Sequence, residues 1–118
     1  MSDCIFCKIV DGSIPSTKVY EDDKILAFKD LNPQAPVHTL IVPKQHICCA
    51  DAITADNCEI VGYIFSKIPE IAKSLGLENG YRIVNNCGED GCQSVKHLHF
   101  HLPVSYTHLR AHETRRHL

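Results

Sequence analysis

The chain has 118 residues, enough for one compact domain with a single core and too few for a second of ordinary size. Its 44% hydrophobic and 22% charged residues exclude the disordered and fibrous classes. The net charge is −2, but Arg110, Arg115 and Arg116 against Glu113 make the last fourteen residues +2 and leave −4 for the rest, a poor match to nucleic acid.

No run approaches the roughly 18 to 20 apolar residues that span a bilayer. The start, Met1-Ser2-Asp3-Cys4, lacks the basic and apolar regions of a signal peptide, so a cytosolic protein without a membrane partner is expected. Seven cysteines in a reducing compartment read as thiols or metal ligands rather than a disulfide framework. Cys48, Cys49, Cys58 and Cys87 read as small buried or half-buried hydrophobes.

In chain order, residues 4–10 form a short helix in which Ile5, Phe6, Ile9 and Val10 share a face. Residues 17–21 and 24–30 are strands of a hairpin turning at Asp22-Asp23, and residues 38–43 are a β-branched strand closed by a proline. A long helix follows, with Ile60, Ile64, Phe65, Ile68, Ile71, Ala72 and Leu75 at three- and four-residue intervals and Gly76 as its stop. Pro69 inside it lacks an N–H and crowds the preceding turn, which predicts a bend or a split. Residues 81–85 and 97–102 complete the strands. The architecture is α+β: a five-stranded, largely antiparallel sheet with one long and one short helix.

His97, His99 and His101 alternate with Leu98, Phe100 and Leu102, so period two sends the three imidazoles to one face and the apolar side chains to the other. Spaced roughly 6 to 7 Å apart along a strand, the rings match the span of one phosphate, so that one attacks while its neighbours bind and donate. A metal site or a solvated face remain open readings of the same run. Cys4 and Cys7 form a C-x-x-C pair whose readings are metal binding, redox chemistry or chance; a thioredoxin-like motif fails because no strand precedes it and no βαβ unit surrounds it.

The run His97-Leu98-His99-Phe100-His101-Leu102 resembles the H-φ-H-φ-H-φ signature of the histidine triad (HIT) family. Matching segments accompany it in the same order: Glu21-Asp22-Asp23, Phe28-Lys29-Asp30, Asn32-Pro33-Gln34-Ala35-Pro36, His38, Val42-Pro43-Lys44-Gln45-His46, Gly80-Tyr81-Arg82 and Gln93-Ser94-Val95. The resemblance covers about residues 4 to 102 and is closest to the Hint-type branch. It implies a HIT-like fold and a homodimeric hydrolase of purine nucleoside 5′-phosphoramidates, with AMP-like substrates.

By the same resemblance, His99 attacks the α-phosphorus to form a nucleotidyl-histidine that water hydrolyses, and His101 binds phosphate oxygens or the leaving atom. Ser94 and nearby N–H groups hold the departing group, and His38 fixes the ring of His99. Asp30 accepts the ribose hydroxyls, Phe6, Ile9, Phe28 and Leu31 wall the purine pocket, and Asn86 and Gln93 contact phosphate or ribose. Each has a plainer reading: His38 as a strand-start histidine, Asp30 as a turn residue, Phe28 as core, Asn86 and Gln93 as solvated loop. Cys92 stands where the family commonly has glycine.

The resemblance also implies a structural Zn²⁺ held by Cys4, Cys7, His46 and His97, a closed Cys2His2 set, and no organic cofactor. His97 then serves the triad by anchoring its strand through the metal. After Leu102 the likeness ends: the Hint branch continues with Gly-Gly-Arg and a tryptophan-bearing tail, whereas this chain has no Trp and a basic, His- and Arg-rich end. The expected division is a domain over residues 1–104 and an atypical tail over 105–118 that is not native to it. Two rival functions are hydrolysis of dinucleoside polyphosphates and nucleotide binding or scaffolding without turnover.

Overall fold

The computed structural model describes residues 4–30 and 38–103. Leu31 and the expected tail lie outside the described residues. The first element, α1, is Ile5–Val10. Cys4 sits at its N-cap with extended backbone, and its Sγ accepts the N–H of Cys7 at 3.3 Å, taking the place of the usual hydroxyl or carboxylate cap. Phe6 and Ile9 are its buried face.

Strands β1, Lys18–Glu21, and β2, Ile25–Lys29, form the expected hairpin. Asp22 organises its turn: Oδ1 accepts the N–H groups of Lys24 and Ile25 at 2.8 and 2.9 Å. Oδ2 accepts the hydroxyls of Tyr20 and Tyr63 at 2.8 and 2.5 Å, which ties the turn to the long helix. Desolvation acts to raise this carboxyl, but the bonds from Tyr63, the two amides and Tyr20 outweigh it and hold the group well below the ordinary carboxylate range.

Strand β3, His38–Pro43, pairs with β2 and with β4, Phe100–Pro103, giving an antiparallel sheet in the order β1-β2-β3-β4. Both faces are covered. Ile25, Ala27, Ile41, Phe100 and Leu102 form one core with Ile64, Ile68 and Ile71 of the long helix, while Leu26, Phe28, Leu40 and Val42 pack with Phe6 and Ile9. That double coverage is why β2 reads as an unbroken apolar run rather than an alternating one.

The expected strand at 81–85 contributes a single antiparallel bridge, in which Val84 and His101 exchange both backbone bonds at 3.1 and 2.8 Å. The next rung would run from the Asn86 N–H to the His99 carbonyl. The side-chain amide of Asn85 donates to that carbonyl at 2.8 Å instead. Among the described residues the paired ladder therefore has four strands.

The long helix α2, Glu59–Ser74, runs through Pro69 without splitting. A mid-helix proline costs about 3 kcal/mol, whereas fully burying an isoleucine contributes about 1.5–3 kcal/mol, and Ile64, Ile68 and Ile71 hold both sides of Pro69 against the sheet. The helix ends in a Schellman motif: Gly76, at φ +76°, donates to the Lys73 carbonyl and Leu77 to that of Ala72. Among the described residues, no helix is long and apolar enough to cross a membrane.

Candidate active site

The alternation read from the sequence survives although only its end is regular strand. Leu98, Phe100 and Leu102 are buried in the α2-side core, and His97 and His99 are 0% and 2% exposed on the α1 side. Before β4 the chain leaves the ladder, because the Leu98 N–H bonds the Ile47 carbonyl and that of His97 bonds Val95.

Carbonyl partners fix the ring tautomers, since a carbonyl only accepts. His97 donates from Nε2 to the Pro43 carbonyl at 2.9 Å, which leaves its Nδ1 with a lone pair. His99 donates from Nδ1 to the His97 carbonyl at 2.6 Å, which leaves the lone pair on Nε2. Burial pushes the His99 pKa down, so the ring is neutral and nucleophilic at pH 7.

His38 bonds His101 rather than His99: its Nε2 lies 2.8 Å from Nδ1 of His101. The register explains this, because His101 faces Leu40 and His38 sits two residues further along the same face. The orienting of His99 that was expected of His38 is done by the main chain of His97. On its other side, His38 Nδ1 lies 3.3 Å from Oδ2 of Asp30, a charge proximity without hydrogen-bond geometry, so the hydrogen-bonded pair is His38 and His101 with the Asp30 carboxyl beside it. Burial first, then the neighbouring His99 and His38, push His101 down to about 4. Its Nε2 is buried and makes no hydrogen bond among the described residues.

These rings open on a cavity of about 600 Å³ between α1, the sheet and the loop before His97. Its walls include Phe6, Ile9, Phe28, Asp30, His38, Asn86, Ser94, His99 and His101, all singled out in the sequence, and also Ile5, Leu40, Cys92 and Val95, which were not assigned to a pocket. Phe6 meets Phe28 and His99 edge-on, with ring centroids 5.6 and 5.0 Å apart. Gln93 is not in the wall; its amide is committed to the Cys48 and Val95 carbonyls and to the Gly88 N–H. It holds the loop, so the expected contact with phosphate or ribose is not where its side chain lies.

Behind the triad, Cys4, Cys7, His46 and His97 bring one donor atom each to within 4.8 Å of one another. Cys4 Sγ lies 3.3 Å from His97 Nδ1, and Cys7 Sγ 3.3 and 3.6 Å from Nδ1 of His46 and His97. Donors around a tetrahedral Zn²⁺ with bonds of about 2.0–2.3 Å are separated by about 3.5 Å. The bond from His97 Nε2 to Pro43 is the outer contact that turns Nδ1 inward as a ligand. Desolvation, reinforced by Cys4, raises the Cys7 thiol, which a bound cation would reverse. The set fits zinc.

A family model described as "Scavenger mRNA decapping enzyme C-term binding" matches residues 3–117. A histidine triad protein from Clostridium difficile superimposes with a TM-score of 0.84 at 55% identity, over 87% of this chain and 90% of that one. The chain belongs to the histidine triad family. Two further relatives are the 14 kDa zinc-binding protein of Zea mays, 52% identical over 103 residues, 86% of this chain and 80% of that protein, and Protein HitA of Neisseria gonorrhoeae, 43% identical over 102 residues, 86% and 95% of the two chains. A HIT family hydrolase from Legionella pneumophila aligns with a TM-score of 0.82 at 46% identity, over 86% and 91%.

Within this HIT fold, Cys92 has φ +62°, a left-handed backbone that favours glycine. Cys92 takes this backbone with a side chain present and places its thiol in the cavity wall. Asn85 and the His97 carbonyl are the structural residues that sequence reasoning missed. Neither has a motif, because both act through a bond to the main chain.

Proposed function

We propose that the protein is a hydrolase of purine nucleoside 5′-phosphoramidates that works through a nucleotidyl-His99 intermediate. The observation that carries this reading is the lone pair on Nε2 of a neutral, 2% exposed His99, locked by the His97 carbonyl at the wall of a nucleotide-sized cavity. Phe6, Ile9 and Phe28 form the apolar side that takes the base. The matching HIT family hydrolase from Legionella pneumophila supports hydrolysis, and a histidine triad nucleotide-binding protein from Candida albicans supports nucleotide binding.

In the first step His99 Nε2 attacks the α-phosphorus, the P–N bond breaks, and the amine leaves with a proton from Nε2 of His101. In the second, His101 takes a proton from water, which displaces His99. The bond between His38 and His101 lets one proton position serve both steps, since moving a proton between Nε2 of His38 and Nδ1 of His101 switches His101 Nε2 between donor and acceptor. Ser94 and loop N–H groups steady the developing charge. Asp30 meets the ribose hydroxyls with its remaining acceptor capacity.

Cys4, Cys7, His46 and His97 would hold a Zn²⁺, whose role there would be structural, making α1, the segment after β3 and the triad strand rigid. The active species is a cytoplasmic homodimer without nucleic-acid or membrane partners. The half-exposed apolar side chains of Phe65 and Ile83, at 45% and 39%, support a further protein contact. The domain is residues 1–104, with 105–118 an atypical tail.

The test is steady-state release of an amine from a fluorogenic adenosine phosphoramidate beside hydrolysis of a dinucleoside polyphosphate. Higher kcat/KM on the P–N substrate, abolished by His99→Ala, supports the reading. Preference for the P–O–P substrate selects the dinucleoside polyphosphate hydrolase, and AMP binding without turnover of either selects a binding protein.

A further inference from the structure

Of the cysteines read from the sequence as buried or half-buried hydrophobes, Cys49 and Cys87 are half-buried, but Cys48 and Cys58 are exposed. The thiol of Cys48 donates to Sγ of Cys49 across 3.1 Å. Two sulfurs on one accessible edge at that separation are a bidentate soft donor set, outside both the Cys2His2 cluster and the cavity.

Closure to a disulfide and chelation of a thiophilic centre make different demands on this pair. A disulfide needs sulfurs about 2.05 Å apart and usually Cα atoms 4.4–6.8 Å apart. Adjacent residues have Cα atoms about 3.8 Å apart, so ring closure would strain the chain and give a readily reduced bond. Cys49 is also fully extended, with φ −169° and ψ 175°. Inserting one atom between the sulfurs removes the need to close that gap. Soft thiolates select soft acceptors.

We propose that Cys48 and Cys49 form a dithiol site that chelates trivalent arsenicals. The step balances without an oxidant: an organoarsenic oxide, R–As=O, gains two As–S bonds, and the oxygen leaves as water with both thiol protons. Arsenic remains trivalent. The neighbouring main chain is already fixed, because the Ile47 carbonyl accepts from Leu98 and that of Cys48 from Gln93, so the donors are held together before binding.

The probe is phenylarsine oxide, one equivalent, added to the zinc-loaded full chain and challenged with excess glutathione, which removes single-sulfur adducts. Intact mass spectrometry should find one adduct per chain that persists in Cys4→Ser/Cys7→Ser, also challenged, and is lost in Cys48→Ser and in Cys49→Ser. Retention of the adduct by both single variants, its loss only in Cys4→Ser/Cys7→Ser, or no glutathione-resistant adduct at all overturns the assignment. Circular dichroism of each variant, matching the parent, confirms that losses reflect the missing thiol.

Discussion

The ring of His99 is locked by the main chain of His97, whose carbonyl oxygen lies 2.6 Å from Nδ1. The same His97 turns its own Nδ1 to the two cysteines. The candidate nucleophile and the candidate metal cluster are thus joined through one residue, and loosening the cluster loosens the ring.

Loss of the metal is therefore expected to lower both stability and turnover. Cys4→Ser should abolish the one zinc per chain found by elemental analysis. Its Tm should fall by several degrees, since each kcal/mol lost shifts a domain of this size by about 4–8 °C. Its kcat should fall by less than that of His99→Ala, because the His97 carbonyl is still present. Unchanged zinc content in Cys4→Ser would remove this cysteine from the ligand set.

The pairing of His38 with His101 predicts a defect in proton transfer rather than in binding. His38→Ala should reduce kcat by about 10²–10⁴-fold, with the Kd for AMP, measured by calorimetry, changed only a few-fold. A large loss of AMP affinity with kcat preserved would make His38 a binding residue.

Much of this arrangement is legible in the sequence, and what is not has a common cause. The period-two alternation of residues 97–102 placed the histidines on one face because that rule depends only on backbone geometry. The C-x-x-C pair was found by residue type and spacing, and His46 through the family resemblance. The partner of His38, the bond from Asn85 to His99 and the bracing role of Gln93 were not, because strand register and loop conformation decide them. The same limit hid the exposure of Cys48, a residue type usually buried.

His101 gives a signed pH dependence. Its folded pKa, about 4, lies below the ordinary 6.5, so as pH falls through 6.5 the unfolded chain takes up the proton first. Stability is full above pH 6.5 and declines toward pH 4, by on the order of 2–3 kcal/mol from this group. Urea melts of the parent and His101→Asn across this range should show a flatter profile for the variant. Parallel profiles would contradict the depressed value.

Asp22 gives the same sign in stronger acid, from hydrogen bonds that hold its charged form rather than from burial that opposes charge. Its folded pKa is held below the ordinary 3.8, so its contribution is present above that pH and is lost as the carboxyl protonates in stronger acid. Asp22→Ala leaves Tyr20, Tyr63 and two backbone amides without their acceptor. A loss of about 2–3 kcal/mol in urea denaturation is expected, with kcat little changed because the turn lies away from the cavity.

The central claim is that His99 carries the nucleotide covalently, and trapping tests it most directly. The protein is mixed with an adenosine phosphoramidate, quenched within the first turnover at alkaline pH to preserve the P–N bond, digested and examined by peptide mass spectrometry. The account predicts an adenylyl group on His99, absent from His99→Ala. An adduct on another residue, or amine release at the parent rate by His99→Ala, would contradict it.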